Sequence, residues 1–366
     1  MKQILMLDET TRRKDSHLDL CAKGEVEPAG SDALFGDVHL IHESLPELCE
    51  ADIDLSCSFL GKRLRLPLLI TGMTGGTERG RELNLGLARI AEELGIGFCV
   101  GSQRAMLERP ETASSYQVRA VAPRAALVGN IGLWQARALG SDAVRRLMDA
   151  IEADGIAVHL NVAQELVQPE GDRDFRAGLE TIARLASALG ERLVVKETGC
   201  GISPSVAQRL VDAGVRNIDV SGVGGTSWIQ VEALRSTGSE RSRGELFASW
   251  GIPTAVSVNA VAQRIGERAT IIASGGIRDG LMAAKALALG ADLVGVALPA
   301  LRAWEAGGEA AARAFLEELA SGLRLAMALT GSWTVAELRS RPVVTSERFR
   351  SWTSSLAAAS VAVANR

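Results

Sequence analysis

Aromatic side chains are scarce, at 4% of 366 residues, although 47% of the chain is hydrophobic. The core must therefore be filled mainly by Val, Ile, Leu and Ala, the usual filling of a buried parallel sheet. Paired cysteines are also lacking. The five present, Cys21, Cys49, Cys57, Cys99 and Cys200, are odd in number, far apart and without CxxC or metal-ligand spacing. That argues for free thiols in a reducing cytosol. There is no excess of positive charge: the formal net charge of −4 gives no electrostatic case for nucleic acid or an anionic membrane surface. An anionic ligand must be met by a few local basic residues. No apolar run approaches the ~20 residues of a membrane span. The opening MKQILMLDETTRRKDSHL reaches charge after a few apolar residues, without the h-region and cleavage site of a signal peptide. The expectation is a soluble, cytoplasmic protein with neither a nucleic acid nor a membrane as partner.

What the chain does have is a rhythm. Short apolar runs ending near Gly, Ser, Thr or Asn recur as LPLLITG (66–72), GIGFCVG (95–101), ALVGNIG (126–132), GIAVHLN (155–161), RLVVKETG (192–199), NIDVSG (217–222), ATIIASGG (269–276) and ADLVGVA (291–297). Helical spacing of apolar residues separates them, as in Leu83, Leu87, Ile90 and Leu94 or Leu179, Ile182, Leu185 and Leu189. Eight strand–helix units are the sequence form of an α/β chain closed into a (β/α)8 TIM barrel. A doubly wound open sheet is the alternative, and the want of an early GxGxxG unit counts against it.

The expected organisation is an N-terminal arm and barrel-closing segment (1–65), a barrel (66–298) and C-terminal helices with a tail (299–366). An insertion at about 226–253 is longer than the usual ~2–6 residue βα loop and suggests a lid beside the active face. The polar RRKDSHL segment is either a solvated tail or an ordered arm over the site.

A barrel of this kind carries its site at the carboxyl ends of the strands, and polar residues collect there. Thr71 to Gly76 follow the first run, Ser102, Gln103 and Arg104 the second, and Asn130 ends the third. His159, Asn161, Gln164 and Glu165 follow on the fourth, Lys196 and Glu197 on the fifth, Ser221 to Thr226 on the sixth, Ser274 to Gly276 on the seventh and Ala297 on the eighth.

Several of these admit two readings. Gly275-Gly276, before a helix from about Asp279, fits either an ordinary tight turn or the phosphate corner made by the last two βα loops and a helix N-terminus. Lys196 is either salt-bridged to Glu197 or another carboxylate, or a fixed positive charge beside an anion such as the N1–C2=O edge of a reduced flavin. Glu165 is either a first-turn glutamate favoured by the helix dipole, or the carboxylate of a Mg²⁺ site completed by diphosphate oxygens and water. His159 could be a satisfied core histidine, Arg104 a surface ion pair or an anion ligand, and Arg13, Lys14 and His17 a solvated surface.

At RKDSHL (13–18), MTGG (73–76), GSQR (101–104), GNIG (129–132), HLNVAQELVQPEGDRDF (159–175), KETGCGIS (196–203), DVSGVGGTS (219–227), ASGGIRDG (273–280) and AKALALGAD (284–292), the chain resembles the type 2 isopentenyl-diphosphate isomerases. HLNxxQE with QPEGDRxF is the most specific part. The resemblance implies an FMN-dependent barrel working with reduced flavin and Mg²⁺, NADPH or another reductant only priming it, since the net reaction moves a double bond without redox change. It implies that Met73, Thr74, Gly75, Ser102, Asn130, Lys196, Thr226, Gly275, Gly276, Arg278, Ala297 and Leu298 hold FMN. Arg13, Lys14, Arg104, His159, Asn161 and Gln164 would hold the substrate and Glu165 the metal. Lys196, Gln164 and His159 would stand nearest the chemistry, with flavin N5 as the acid and base. A homo-oligomer, tetramer or octamer, is also implied.

Two rivals remain. An FMN-dependent 2-hydroxy acid oxidase or dehydrogenase needs a histidine base after the sixth strand. The segment there is SGVGGTS, and the four histidines, His17, His39, His42 and His159, all lie earlier. A non-catalytic flavin- or phosphate-binding protein would keep the glycine corner but has no need of Gln164 and Glu165 beside a basic cluster.

Overall fold

The computed structural model describes residues 2–364, with side chains from 13 to 359. Residue 1, residues 365 and 366, and the side chains of the opening apolar stretch read above for a leader lie outside the described residues. Eight parallel strands close into a barrel: β1 (Leu68–Ile70), β2 (Gly97–Cys99), β3 (Ala126–Gly132), β4 (Gly155–Leu160), β5 (Leu193–Glu197), β6 (Asn217–Asp219), β7 (Thr270–Ser274) and β8 (Leu293–Val296). They stand in sequence order, and β8 returns to β1 with Val294 opposite Leu68 and Val296 opposite Ile70. All eight expected runs are strands, and closure excludes the open sheet. The strands are mostly shorter than the runs because the polar ends turn away from the ladder to form the site.

The period-two pattern divides each strand between an outer face against the helices and an inner face. Leu69, Val128, Ala157, Val194, Ile272 and Leu293 fill the barrel interior together with Phe59 and Leu64. These last two come from an antiparallel hairpin, Cys57–Phe59 with Lys62–Leu64, that plugs the lower end. Above this apolar layer the inward positions turn polar: Asn130, His159, Lys196, Asp219 and Ser274. His159 lies in register with Lys196, and Lys196 with Asp219.

Outside the strands, helix α1 (Lys2–Lys23) precedes the barrel and packs on the long C-terminal helix. Helix α2 (Glu78–Leu94) buries Leu83, Leu87 and Ile90, as its spacing requires, and is capped by the Thr77 hydroxyl accepting from the Gly80 N–H. The 226–253 stretch forms two helices, α3 (Trp228–Arg235) and α4 (Gly238–Phe247). Helix α5 (Gly280–Ala288) follows β7, and α6 (Leu298–Leu329) follows β8 with a kink at Gly307 and Gly308. The chain's last helix, α7, spans Glu347–Ala364.

Candidate active site

A cleft of about 230 Å³ opens over the carboxyl ends of the strands. It is lined by residues from the strand ends, from α1 and from α3. Of the residues singled out from the sequence, Met73, Thr74, Ser102, Asn130, Lys196, Thr226, Gly275, Gly276, Arg278, Ala297 and Leu298 line it, as do Arg13, Lys14, Arg104, His159, Asn161, Gln164 and Glu165. Gly75 does not. It stands one layer back, where a Cβ would come within 2.2 Å of the Tyr116 ring.

The RRKDSHL segment is part of an ordered helix, since Arg13, Lys14 and His17 face this cleft. Lys14 is not a solvated lysine. Its ammonium donates to Gly75 O at 2.6 Å, Ser102 O at 3.0 Å and Tyr116 Oη at 2.6 Å, so all three of its N–H groups are taken. Burial, helped by Arg13, lowers its pKa to about 7. It bolts α1 to the loops after β1 and β2. Arg13 pairs with Glu170 at 3.5 Å, and Arg104 with Glu108 one turn along its own short helix.

At the phosphate corner, Gly275 and Gly276 have φ of +99° and +77°, and a Cβ on Gly275 would stand 2.2 Å from Gly222 O. Only glycine fits this left-handed, closely packed backbone. Arg278 stitches the corner together, donating to Gly276 O at 2.8 Å and Gly224 O at 3.0 Å while pairing with Glu27. The helix end differs from the expectation. Asp279 caps α5 by accepting from the Met282 N–H at 2.7 Å, so its own carboxylate occupies that terminus. The terminus that faces the cleft without a side-chain cap is that of α6, where Ala297, Leu298 and Pro299 line the wall.

Lys196 and Glu197 do not form a side-chain salt bridge. The Lys196 ammonium donates to the backbone carbonyl of Glu197 at 2.6 Å. The Glu197 carboxylate turns to the following loop and accepts the N–H groups of Thr198, Gly199 and Cys200, while burial pushes its pKa up to about 7. His159 contributes Nδ1 to Asn130 Oδ1 at 2.9 Å and points its other edge into the cleft. Burial, then the charge of Lys196, brings its pKa down to about 3, so the ring is neutral.

Glu165 sits on a short helix after β4, with Asn161 Nδ2 donating to its Oε1 at 2.8 Å and the Asp172 N–H to its Oε2 at 2.8 Å. This leaves Asn161 Oδ1 buried and without a hydrogen-bond partner, as is Thr74 Oγ1 at the first strand. Buried polar atoms are normally satisfied, so these two mark places where a ligand belongs. Asn161 Oδ1, a Glu165 oxygen and Gln164 Oε1 are hard oxygen donors of the kind Mg²⁺ takes, one carboxylate with substrate oxygens being enough. No cluster of three His, Cys, Asp or Glu residues able to hold a metal occurs among the described residues. The glycine corner and Lys196 likewise suit a phosphorylated cofactor with an anionic edge.

Sequence reading missed a network behind Gln164. Gln164 Nε2 donates to Glu232 Oε1 at 2.9 Å, and His17 Nε2 donates to the same carboxylate at 3.1 Å. Arg235 pairs with it from one turn along α3. Glu232 is fully buried, and its pKa nevertheless falls to about 2, burial being outweighed by the His17 hydrogen bond and the charge of Arg235. Trp228 of α3 stacks edge-on against His17 with ring centroids 5.2 Å apart. The signal available was a charged residue inside VEAL, one turn from Arg235, but nothing in the spacing told that α3 would lie against α1.

The family model for FMN-dependent dehydrogenases matches residues 157–345. The isopentenyl-diphosphate delta-isomerase of Pyrococcus furiosus is 46% identical over 94% of this chain and 90% of its own length. Those of Metallosphaera sedula and Methanosarcina barkeri are each 45% identical over 93% of this chain, covering 94% and 93% of their own lengths. Among solved structures, a mandelate oxidase variant with (S)-mandelic acid superposes with a TM-score of 0.65 at 19% identity, over 93% of this chain and 98% of that one. Mandelate oxidase with 3,3-difluoro-2-hydroxy-3-phenylpropionic acid gives 0.62 at 19% identity, over 92% and 98%. At that identity the likeness is one of fold alone.

Proposed function

This chain belongs to the isopentenyl-diphosphate delta-isomerase family, and from that premise we propose how its own residues interconvert isopentenyl and dimethylallyl diphosphate. The observation that carries the reading is the polar layer of Asn130, His159, Lys196 and Ser274 facing one cleft, with the Gly275-Gly276 corner on its wall. FMN is the cofactor these residues suit, and in its reduced form it supplies a nitrogen able to exchange a proton with an alkene. Lys196 would provide the positive charge that favours an anionic edge of the bound cofactor. Met73, Thr74, Ser102, Asn130, Thr226, Gly275, Gly276, Arg278, Ala297 and Leu298 form the rest of the cradle, Gly75 supporting it from behind.

Arg13, Arg104, Asn161 and the neutral His159 bind and orient the diphosphate ester, with Mg²⁺ at Glu165. Remote binding energy thereby fixes the reacting carbons. Lys14 works indirectly, holding α1 across the mouth. Gln164, gripped by Glu232, keeps its amide oxygen toward Asn161 at 3.4 Å and so orders the metal side of the site. The α1 and α3 helices shield the cleft from water. NADPH serves as a reductant of the flavin, not as a participant in the isomerisation. The protein works as a homo-oligomer in the cytoplasm, and residues 1–65 and 299–366 act as accessory segments to the catalytic barrel at 66–298.

Proton NMR of isopentenyl diphosphate incubated with the protein, FMN, Mg²⁺ and dithionite tests this directly. Dimethylallyl methyl resonances should grow in only when the yellow protein has been bleached and Mg²⁺ is present. Turnover by oxidised, metal-free protein would overturn the reading, as would turnover undiminished with the 5-deaza analogue of FMN.

A further inference from the structure

One buried acidic group stands just below the cleft and belongs neither to the cofactor cradle nor to the diphosphate site. Asp219 ends β6 with 1% of its surface exposed, and it lies in register with Lys196 on the neighbouring strand. In a parallel ladder such partners project to the same face, about 4.8 Å apart, so both side chains point into the barrel. Beneath them are Val194, Ile272, Leu69 and Val128, which cannot solvate a charge. A void of about 10 Å³ bounded by Thr71, Cys99, Lys196 and Asp219 joins the two side chains.

Burial raises the pKa of Asp219, and the charge of Lys196 and two hydrogen-bond donors work against that rise. Asp219 Oδ1 accepts the Ser274 hydroxyl at 2.6 Å and the Ser221 N–H at 3.2 Å, two donors that a neutral acid would use less well. Lys196 donates to the Glu197 carbonyl, so the two charges act on each other across this void and not through a direct contact, which the apolar interior permits. We propose that Asp219 is a positioning residue: the counter-charge that holds the Lys196 side chain aimed at the cofactor's anionic edge, acting through Lys196 without touching the flavin.

The other titratable groups facing Lys196 do not substitute for it. His159 of β4 is neutral, and Cys99 of β2 is a thiol pushed up to about 12 by burial. The carboxylate of Glu197 is occupied by the three N–H groups of its own loop. Ser274 belongs to the same device, holding Asp219 from β7.

This inference rests on the flavin reading above, and its test separates the two. Holoproteins carrying Asp219→Asn, Lys196→Gln and both changes are reduced anaerobically, and the absorbance of the reduced flavin is followed with pH to obtain the pKa of its N1. Asp219→Asn should raise that pKa by at least one pH unit, since the Lys196 side chain is no longer held toward the flavin. The double variant should match Lys196→Gln alone, because the aspartate acts only through the lysine. In turnover, kcat should fall at least tenfold with KM nearly unchanged. If Asp219→Asn lowers the N1 pKa or leaves it in place, Lys196 holds its position unaided and the proposal fails; shifts that add in the double variant overturn it equally. If Lys196→Gln itself leaves the flavin unmoved, the flavin reading falls, and this inference with it. Ser274→Ala, which spares the aspartate but removes its hydroxyl donor, should shift the N1 pKa upward by a smaller amount. It decides the matter should Asp219→Asn not fold, no shift counting against the proposal.

Discussion

Asn130 Oδ1 and His159 Nδ1 stand 2.9 Å apart on neighbouring strands, and Asn130 Nδ2 is turned back to the Val100 carbonyl at 3.2 Å. With the amide nitrogen spoken for, the oxygen must face the ring, so Nδ1 carries the proton and Nε2 presents a bare lone pair to the cleft. Asn130→Ala should leave a buried N–H unpaired at a cost of about 1–3 kcal/mol and release the ring's tautomer. Nitrogen NMR of labelled histidine should show a single protonated Nδ1 in the parent protein and mixed tautomers in the variant.

The same ring ties stability to pH. Its pKa is about 3 in the folded chain against an ordinary 6.5, so the unfolded chain takes up the proton first as pH falls. Stability from this group is whole above about 6.5 and drains away between there and about 3. Urea midpoints of the parent should drop between pH 7 and pH 4 more than those of His159→Gln. The difference should be on the order of 3 kcal/mol, and parallel curves would refute the assignment.

Glu165→Gln keeps the side chain's size, with an amide oxygen that can accept from one of Asn161 and the Asp172 N–H, but removes the charge a cation needs. The melting temperature should stay within a few degrees while activity drops at least ~100-fold and loses its dependence on added Mg²⁺. Chelation of the parent protein by EDTA should reproduce the loss reversibly. Retained activity with unaltered metal dependence would place the cation elsewhere.

Gly275→Ala puts a methyl group 2.2 Å from Gly222 O at a φ of +99°. The loops must part, so FMN affinity measured by fluorescence quenching should fall at least ~100-fold, equivalent to about 2.7 kcal/mol. Gly266→Ala is the control: its φ of +56° is also left-handed but a Cβ there meets nothing within 4 Å. It should leave FMN affinity unchanged.

Removing Glu232 should free the arm. Glu232→Ala leaves Arg235 and His17 facing a buried gap, and breaking such a pair costs about 3–5 kcal/mol. Hydrogen exchange over residues 13–23 should quicken by orders of magnitude while the strand core stays protected, and KM for the diphosphate should rise. Unchanged exchange in α1 would mean that Lys14 alone secures it.

The eight strands were readable because each had to bury an apolar face at a fixed period, and the crossover helices because their spacing did the same. The sequence also marked most of the polar cleft wall, since polar residues at the ends of apolar runs have nowhere else to go in a closed barrel, but it missed lining residues such as Glu27, Gln135 and Trp228. It could not determine partnership. Whether Lys196 meets the Glu197 carboxylate or its carbonyl, whether Asp279 or the α6 terminus faces the cleft, and whether Lys14 is free or bolted to Gly75, Ser102 and Tyr116 depend on residues brought together from distant parts of the chain. Asp219 and Glu232 passed unnoticed for the same reason: a buried carboxylate is defined by neighbours on other elements, and only tertiary packing supplies them.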